Sequence, residues 1–149
     1  MNRLFLMLIL SLGFTAVAQN KKHDPNDQIR SMNWDLIGAV KFELTAKKEV
    51  FPIFSETIKR FHNSPFDLVG YLIPIKTGIK QQKFLFATLP IDQCFFCGQN
   101  GVPIMILVEM NTPIEYTTKP IRVKGVLKLA KTNAIYQPPI SIEHGRLII

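Results

Sequence analysis

The feature that most constrains the fold is the run Phe66–Ile75, which carries apolar side chains on both of its alternating faces. A strand of this kind has to be covered on two sides, whereas a strand with one solvated face alternates apolar and polar residues. The run therefore predicts a central strand that other parts of the chain cover on both of its faces.

Further strand patterns lie on both sides of this run. In Ile121–Leu129 the apolar residues alternate with basic ones, and Gly125 within the strand predicts a bulge or a close contact. The residues of this strand expected to point inward are Ile121, Val123, Leu127 and Leu129. The other predicted strands are Val40–Leu44 (with Val40, Phe42 and Leu44 inward), Lys83–Leu89, Val102–Glu109, Tyr136–Ile142 and Leu147–Ile149.

These patterns predict a mainly β fold with one short helix, which Ser55 caps and which extends to Phe61. Several short strands with turn residues between them are typical of small barrels and sandwiches, and closure hides the apolar strand edges. We therefore expect an OB-like barrel, closed or partly open, with a sandwich as the alternative. The chain of 149 residues has the length of one domain and contains no internal repeat.

The first residues have the organisation of a secretory signal peptide. Arg3 provides the basic start, Leu4–Leu12 is the apolar core, and Ala16–Ala18 forms an A-x-A cleavage site. The apolar run is shorter than the roughly 20 residues of a membrane-spanning helix, so we expect no transmembrane segment in the mature chain. No cysteine stands near the cleavage site, which argues against a lipid anchor.

The predicted division of the chain into segments follows from this signal peptide and from the strand patterns. Residues 1–18 form the signal peptide, residues 19–32 a flexible polar leader, and residues 33–149 a single OB-like β domain. The predicted location is the periplasm or the outside of the cell.

One motif carries chemistry, namely Cys94-Phe95-Phe96-Cys97-Gly98. Two thiols separated by two residues can lie on one side of a tight turn, and Gly98 allows a positive φ directly after the second thiol. This is half of a zinc knuckle, in which thiolates bind a thiophilic ion such as zinc or copper.

A thiol pair needs further ligands to complete a metal site. His144 is the first candidate because it continues the parity of Ile140 and Ile142, which places it at the end of an inward-facing row; the alternative is a surface histidine. We therefore predict a metal site that combines both cysteines with His144. Other candidate ligands are His62, Asp92, and the cysteine pair of a second chain in a homodimer.

A structural disulfide is the main alternative for the cysteines, because an exported protein meets an oxidising compartment. A thiol-disulfide oxidoreductase is a third alternative. It is disfavoured because a catalytic thiol of that class lies at a helix N-terminus, whereas Gly98–Pro103 is unsuited to beginning a helix.

Other function classes find little support in the sequence. No nucleophile elbow, glycine-rich phosphate loop or acid/base pair of carboxylates is present, so we do not expect an enzyme. The net charge is +7, and a basic stripe on Ile121–Leu129 contains Arg122, Lys124 and Lys128, with Lys119 and Lys131 beyond its ends. No aromatic residue joins this stripe, so it is interpreted as a solvated strand face and not as a nucleic-acid surface.

Three segments together resemble a family of small exported bacterial proteins that carry a domain of unknown function. They are Phe66–Ile75, Lys83–Phe86 and Cys94–Gly98, and the likeness extends over about residues 34–130. The resemblance implies an OB-like barrel in the periplasm and an association with metal handling or transport. The segment Gln99–Val102 departs from the acidic or small residues expected after the glycine.

The predicted function is thus an exported OB-like binding protein that handles zinc or copper through a CxxC thiolate pair. The alternative is a non-enzymatic interaction or scaffold module whose CxxC forms a structural disulfide. The predicted partners are a metal ion or another envelope protein.

Overall fold

The computed structural model of the chain describes residues 25–91 and 104–148, and strands predominate in both ranges. The helical elements are a 3₁₀ turn at Pro25–Asp27, helix α1 (Met32–Gly38) and helix α2 (Glu56–Lys59). The strands are β1 (Lys41–Leu44), β2 (Val50–Ile53), β3 (Pro65–Pro74), β4 (Lys80–Ala87), β5 (Met105–Glu115), β6 (Ile121–Leu129) and β7 (Ile140–Ile148).

Strands β3 to β7 form a closed barrel in the order β3-β4-β5-β7-β6. Strands β5 and β7 are parallel, and every other neighbouring pair in the barrel is antiparallel. Counted from β3, this is the order 1-2-3-5-4, with the fourth strand closing on the first. A closed five-stranded barrel of this order confirms the predicted mainly β, OB-like fold.

The barrel core is filled by large apolar side chains from all five strands. Phe84 and Phe86 of β4 are fully buried and contact each other edge-to-face, with 6.2 Å between their ring centroids. The predicted two-sided burial of the central strand is found in the segment Gly70–Ile73 of β3. Leu72 belongs to the main core, while Ile73 packs outside the barrel in a second apolar cluster with Ala87 and Leu89.

Strand β3 changes its neighbours halfway along its length. Over Pro65–Gly70 it pairs with β6, and over Tyr71–Pro74 it pairs with β4. Within the described residues no strand pairs with the other side of Pro65–Gly70, and helix α1 donates hydrogen bonds to this part of β3. Nδ2 of Asn33 donates to the carbonyl of Asp67 at 2.8 Å, and Nε1 of Trp34 donates to the carbonyl of Val69 at 2.7 Å.

Helix α1 begins at a serine cap, since the side chain of Ser31 accepts a hydrogen bond from the backbone N–H of Trp34 at 3.2 Å. Trp34 is only 1% exposed and lies 6.1 Å from the ring of Phe86. The helix therefore adds an apolar plug to the barrel. The sequence pattern predicts only one short helix, so α1 is an addition to the predicted fold, whereas α2 begins at the predicted cap Ser55.

Strands β1 and β2 form a separate hairpin outside the barrel. The predicted inward orientation of Phe42 and Leu44 is wrong, because these side chains are 51% and 69% exposed. Strand β2 connects the hairpin to the segment between β6 and β7. The N–H of Val50 donates to Oδ1 of Asn133 at 3.1 Å, and the carbonyl of Val50 accepts from the N–H of Ala134 at 2.7 Å. Strand β1 is therefore the outer strand of the hairpin.

Strand β6 has the predicted bounds, and the close contact expected at Gly125 is present. A Cβ atom at this position would lie 2.5 Å from the carbonyl oxygen of Glu143, so only glycine fits without a shift of the backbone. The register of β6 and β7 shifts at this point. Among the described residues, no helix has the length and apolar character that crossing a membrane requires.

Candidate functional site

Cys94 and Cys97 lie outside the described residues, as does Asp92. The structure describes the chain up to Ile91 and again from Ile104, and these residues mark where the CxxC segment leaves and rejoins the barrel region. The segment is the connection between β4 and β5, which are the second and third strands of the barrel. In OB-folds the face of these strands is a common binding surface.

The end at Ile91 borders a cavity of about 360 Å³ with mixed polar and apolar walls. Tyr71 lies in this wall, and its hydroxyl donates to the carbonyl of Asp27 at 3.0 Å, which ties the segment before α1 to the cavity. Beyond it, the N–H of Ile29 donates to the carbonyl of Thr88 at 3.0 Å. The remaining lining residues are Leu72, Pro90 and the β5–β6 connection Tyr116, Thr117, Thr118, Lys119 and Pro120.

The end at Ile104 borders a different cavity, of about 370 Å³, whose walls are mostly apolar. Helix α1 contributes Ile37, the hairpin contributes Phe42, and the β6–β7 connection contributes Pro138 and Pro139. The two described residues nearest the CxxC motif in the chain, Ile91 and Ile104, therefore line cavities of different character. The first has tyrosine, threonine and lysine side chains, and the second has aliphatic and aromatic ones.

His144 lies on the surface in the middle of β7, so the inward orientation suggested by sequence parity is wrong. Its φ of 55° is in the left-handed region, which is unusual for a residue with a side chain. Here His144 and Gly145 together oppose the single residue Gly125 of β6, as the pairs Lys124–Arg146 and Val126–Glu143 on either side show. This bulge shifts the alternation by one residue, so that Gly145 is buried and His144 is exposed.

The side chain of His144 borders a cavity of about 310 Å³ together with Gln82, Glu109, Asn111 and Glu143. The two carboxylates are near basic side chains, with Glu109 at 3.8 Å from Lys83 and Glu143 at 4.0 Å from Lys128. Across residues 25–91 and 104–148 no group of three or more histidine, cysteine or acidic residues is placed to hold a metal ion. A site at His144 would therefore depend on the thiols for its other ligands.

The sheet register gives the separation between His144 and the described end of the CxxC segment. Met110 of β5 pairs with Gly145, so His144 lies level with Glu109, about 16 Å along β5 from Ile104 at the rise of a strand. An extended chain from Ile104 back to Cys97 reaches about 23 Å. The chain is thus long enough for Cys97 to approach His144.

His62 is not arranged as a metal ligand. Its Nδ1 accepts a hydrogen bond from the backbone N–H of Leu129 at 3.1 Å, at the end of β6. A neutral imidazole that accepts at Nδ1 carries its proton on Nε2, so neither nitrogen offers a lone pair to a metal. The structure therefore gives His62 a local structural role in closing the end of the strand, which its loop position in the sequence did not indicate.

The basic stripe on β6 is partly neutralised by its neighbours. Nε of Arg122 donates to Oδ2 of Asp67 at 2.8 Å, and Nζ of Lys128 lies 4.0 Å from the carboxylate of Glu143. These contacts agree with a solvated strand face, because charges paired in this way do not form a continuous positive surface.

Comparisons with protein-family models, with curated proteins and with solved structures give no match for this chain. The fold assignment therefore rests on strand order and barrel closure, and the candidate site rests on the CxxC motif and its described surroundings.

Proposed function

We propose that this chain is an exported OB-like binding protein that captures a thiophilic metal ion, zinc or copper, through the thiolates of Cys94 and Cys97. The observation that carries the proposal is the CxxCG motif in the connection between the second and third barrel strands. Thiolates are the ligands that favour zinc and cuprous ions over harder cations. The predicted signal peptide supports the same function, as does the resemblance to exported proteins that carry a domain of unknown function and are associated with metal handling or transport.

A thiol pair leaves at least one ligand position to be filled, and two sources are proposed. The first is His144, which is exposed and within reach of Cys97 along the chain. The second is the thiol pair of another copy, which would give a four-thiolate site between two chains. The stoichiometry of the bound metal distinguishes them, because the first source gives one ion per chain and the second gives one ion per two chains.

The second candidate function is a scaffold or interaction module whose two cysteines form a stabilising disulfide. Export to an oxidising compartment favours it, since neighbouring thiols are readily oxidised there. The loop that such a disulfide closes is short, so its entropic contribution to stability is smaller than that of a long-range bridge. A thiol-disulfide oxidoreductase is the third and least favoured candidate.

The decisive experiment is metal titration of the reduced, folded protein. We expect uptake of zinc or cuprous ion with release of protons, because the ligands bind as thiolates. Cys94→Ser and Cys97→Ser should each abolish tight binding, since each removes one arm of the same chelate. The fold of every variant is checked by circular dichroism.

A matched pair of histidine variants tests the additional ligand. His144→Ala should weaken binding if this imidazole completes the site, whereas His62→Ala should leave the affinity unchanged because its Nδ1 already accepts a backbone hydrogen bond. If His144→Ala has no effect and one ion binds per two chains, the second copy supplies the ligands. Failure of the reduced protein to bind either ion at micromolar concentration would overturn the metal proposal. In that case an absence of free thiols in purified protein would support the scaffold function.

A further inference from the structure

The outer edge of strand β1 has backbone groups that can pair with another strand. The N–H of Thr45 donates to the carbonyl of Glu49 at 2.9 Å, so Thr45 and Glu49 form a hydrogen-bonded pair at the end of the hairpin. Hydrogen-bonded pairs alternate along an antiparallel ladder. Glu43 and Lys41 therefore point their backbone groups toward β2, and those of Phe42 and Leu44 point away from it.

Two further observations confirm this orientation. Phe42 is paired in register with Pro52, which has no N–H to donate, and Leu44 is paired with Val50, whose own N–H and carbonyl bond to the β6–β7 connection. The hairpin is a two-stranded sheet, and among the described residues no other strand pairs with β1. The N–H and carbonyl groups of Phe42 and Leu44 thus form an open edge beside exposed apolar side chains.

The two charged residues of β1 have opposite signs, so the strand can pair with a second copy of itself. Lys41 and Glu43 are exposed on the opposite face of β1 from Phe42, and neither has an ion pair among the described residues. Charged side chains, lysine above all, commonly protect a strand edge from association with another chain. Here a second copy aligned antiparallel around Phe42 places Lys41 of each chain directly opposite Glu43 of the other.

We propose that a second copy of this chain adds to the β1 edge, with Phe42 of one copy opposite Phe42 of the other. In this register the two Phe42 residues exchange both of their backbone hydrogen bonds, and the N–H of Leu44 donates to the carbonyl of Val40 across the interface. Two Lys41–Glu43 pairs lie on one face, and the Phe42 pair lies on the other face, flanked by Leu44 and Val40. The result is a continuous four-stranded sheet made of two hairpins.

Other symmetric antiparallel alignments use the same backbone groups of Phe42 and Leu44, but they place like charges opposite each other or pair fewer strand residues. Alignment around Glu43 places two carboxylates opposite each other, and alignment around Lys41 places two ammonium groups opposite each other. Alignment around Leu44 brings Phe42 and Lys41 against turn residues of the other hairpin, which have no strand to pair with. Like charges directly opposite each other on neighbouring strands are destabilising. Alignment around Phe42 alone converts the alternating charges of β1 into attraction.

The interface is tested by charge reversal on the purified protein, followed by sedimentation equilibrium from about 1 μM to about 1 mM. We expect the unmodified protein to self-associate as a dimer. Lys41→Glu and Glu43→Lys should each weaken the dimer by about tenfold or more, because each turns both cross-strand pairs into repulsive ones. Both positions are exposed, and circular dichroism confirms that the variants remain folded.

Two experiments that combine the charge reversals test the register itself. The double variant Lys41→Glu/Glu43→Lys should form dimers again, because exchange of the two charges restores both pairs. A mixture of the two single variants should form a heterodimer, since one chain then has two acidic residues at the edge and the other has two basic ones. Lys128→Glu on the barrel is the control and should leave association unchanged.

A monomer throughout the concentration range would overturn the proposal, even if an extended peptide bound to the same edge. A dimer whose stability is indifferent to all of these charges would overturn it as well. The inference is independent of the metal proposal, since the association test uses metal-free protein in chelator and its variants leave both thiols in place.

Discussion

The plug formed by α1 leads to a quantitative prediction for Trp34→Phe. Phenylalanine keeps the aromatic contact with Phe86 and loses the indole N–H that donates to Val69. Leaving a partly buried carbonyl without its partner costs about 1–2 kcal/mol. The smaller ring leaves a void on the order of 40 Å³, which adds about 1 kcal/mol at roughly 24 cal/mol per Å³. We therefore expect the free energy of unfolding to fall by about 2–3 kcal/mol.

Urea unfolding followed by far-ultraviolet circular dichroism measures this loss, since the chain has a single tryptophan and the variant loses its fluorescence. For a domain of this size the midpoint should fall by about 1 M. Tyr136→Phe is the control, because Tyr136 is 85% exposed and its loss of a hydroxyl should change stability by less than about 0.5 kcal/mol. If Trp34→Phe lowers the free energy of unfolding by no more than this control, the proposed role of α1 in covering the edge of β3 is refuted.

Three further predictions concern other parts of the chain. Gly125→Ala should destabilise the fold by roughly 1–3 kcal/mol in the same assay, because its Cβ would lie 2.5 Å from Ile142 and from the Glu143 carbonyl. Gln81→Ala should lower the free energy of unfolding by about 1–3 kcal/mol, because the buried Gln81 amide donates to the carbonyls of Lys76 and Gly78 at 3.1 and 2.6 Å. An unchanged urea midpoint would contradict a stabilising role of these two hydrogen bonds. Mass spectrometry of the exported protein should find a chain that begins at Gln19, whereas an intact N-terminus would contradict the predicted signal peptide.

The parts of the fold that sequence reasoning predicted are those in which local pattern and tertiary environment agree. Ile121–Leu129 alternates because one face of β6 contacts the core, and Ser55 precedes a helix that it caps. Strand β1 shows the same alternation, yet it lies in a hairpin outside the barrel. Alternation reports that a strand has two chemically different faces, and it does not report whether the apolar face is covered.

The candidate site was less accessible to prediction because it depends on a single inserted residue. Sequence parity predicts an inward-facing His144, whereas the bulge at His144 and Gly145 reverses the alternation and leaves this histidine exposed. A histidine in the left-handed region leaves no mark in a hydrophobicity pattern. The hydrogen bond from Leu129 to His62 is also invisible in the sequence, because the two residues are far apart along the chain. The CxxC motif, by contrast, is local and needs no tertiary information to be found.

The hydrogen bonds from α1 to β3 also determine how the barrel responds to proteolysis. Asn33 and Trp34 occupy carbonyls of Asp67 and Val69 that would otherwise be open to an added strand. A protease that cut the chain after α1 and released the helix would remove these donors together with the buried side chains of Trp34 and Ile37. The product would then have an unpaired strand edge beside an uncovered part of the core. Open edges of this kind recruit other chains and promote aggregation. Helix α1 therefore protects the chain against aggregation as well as stabilising the barrel, because it covers both the edge of β3 and part of the core.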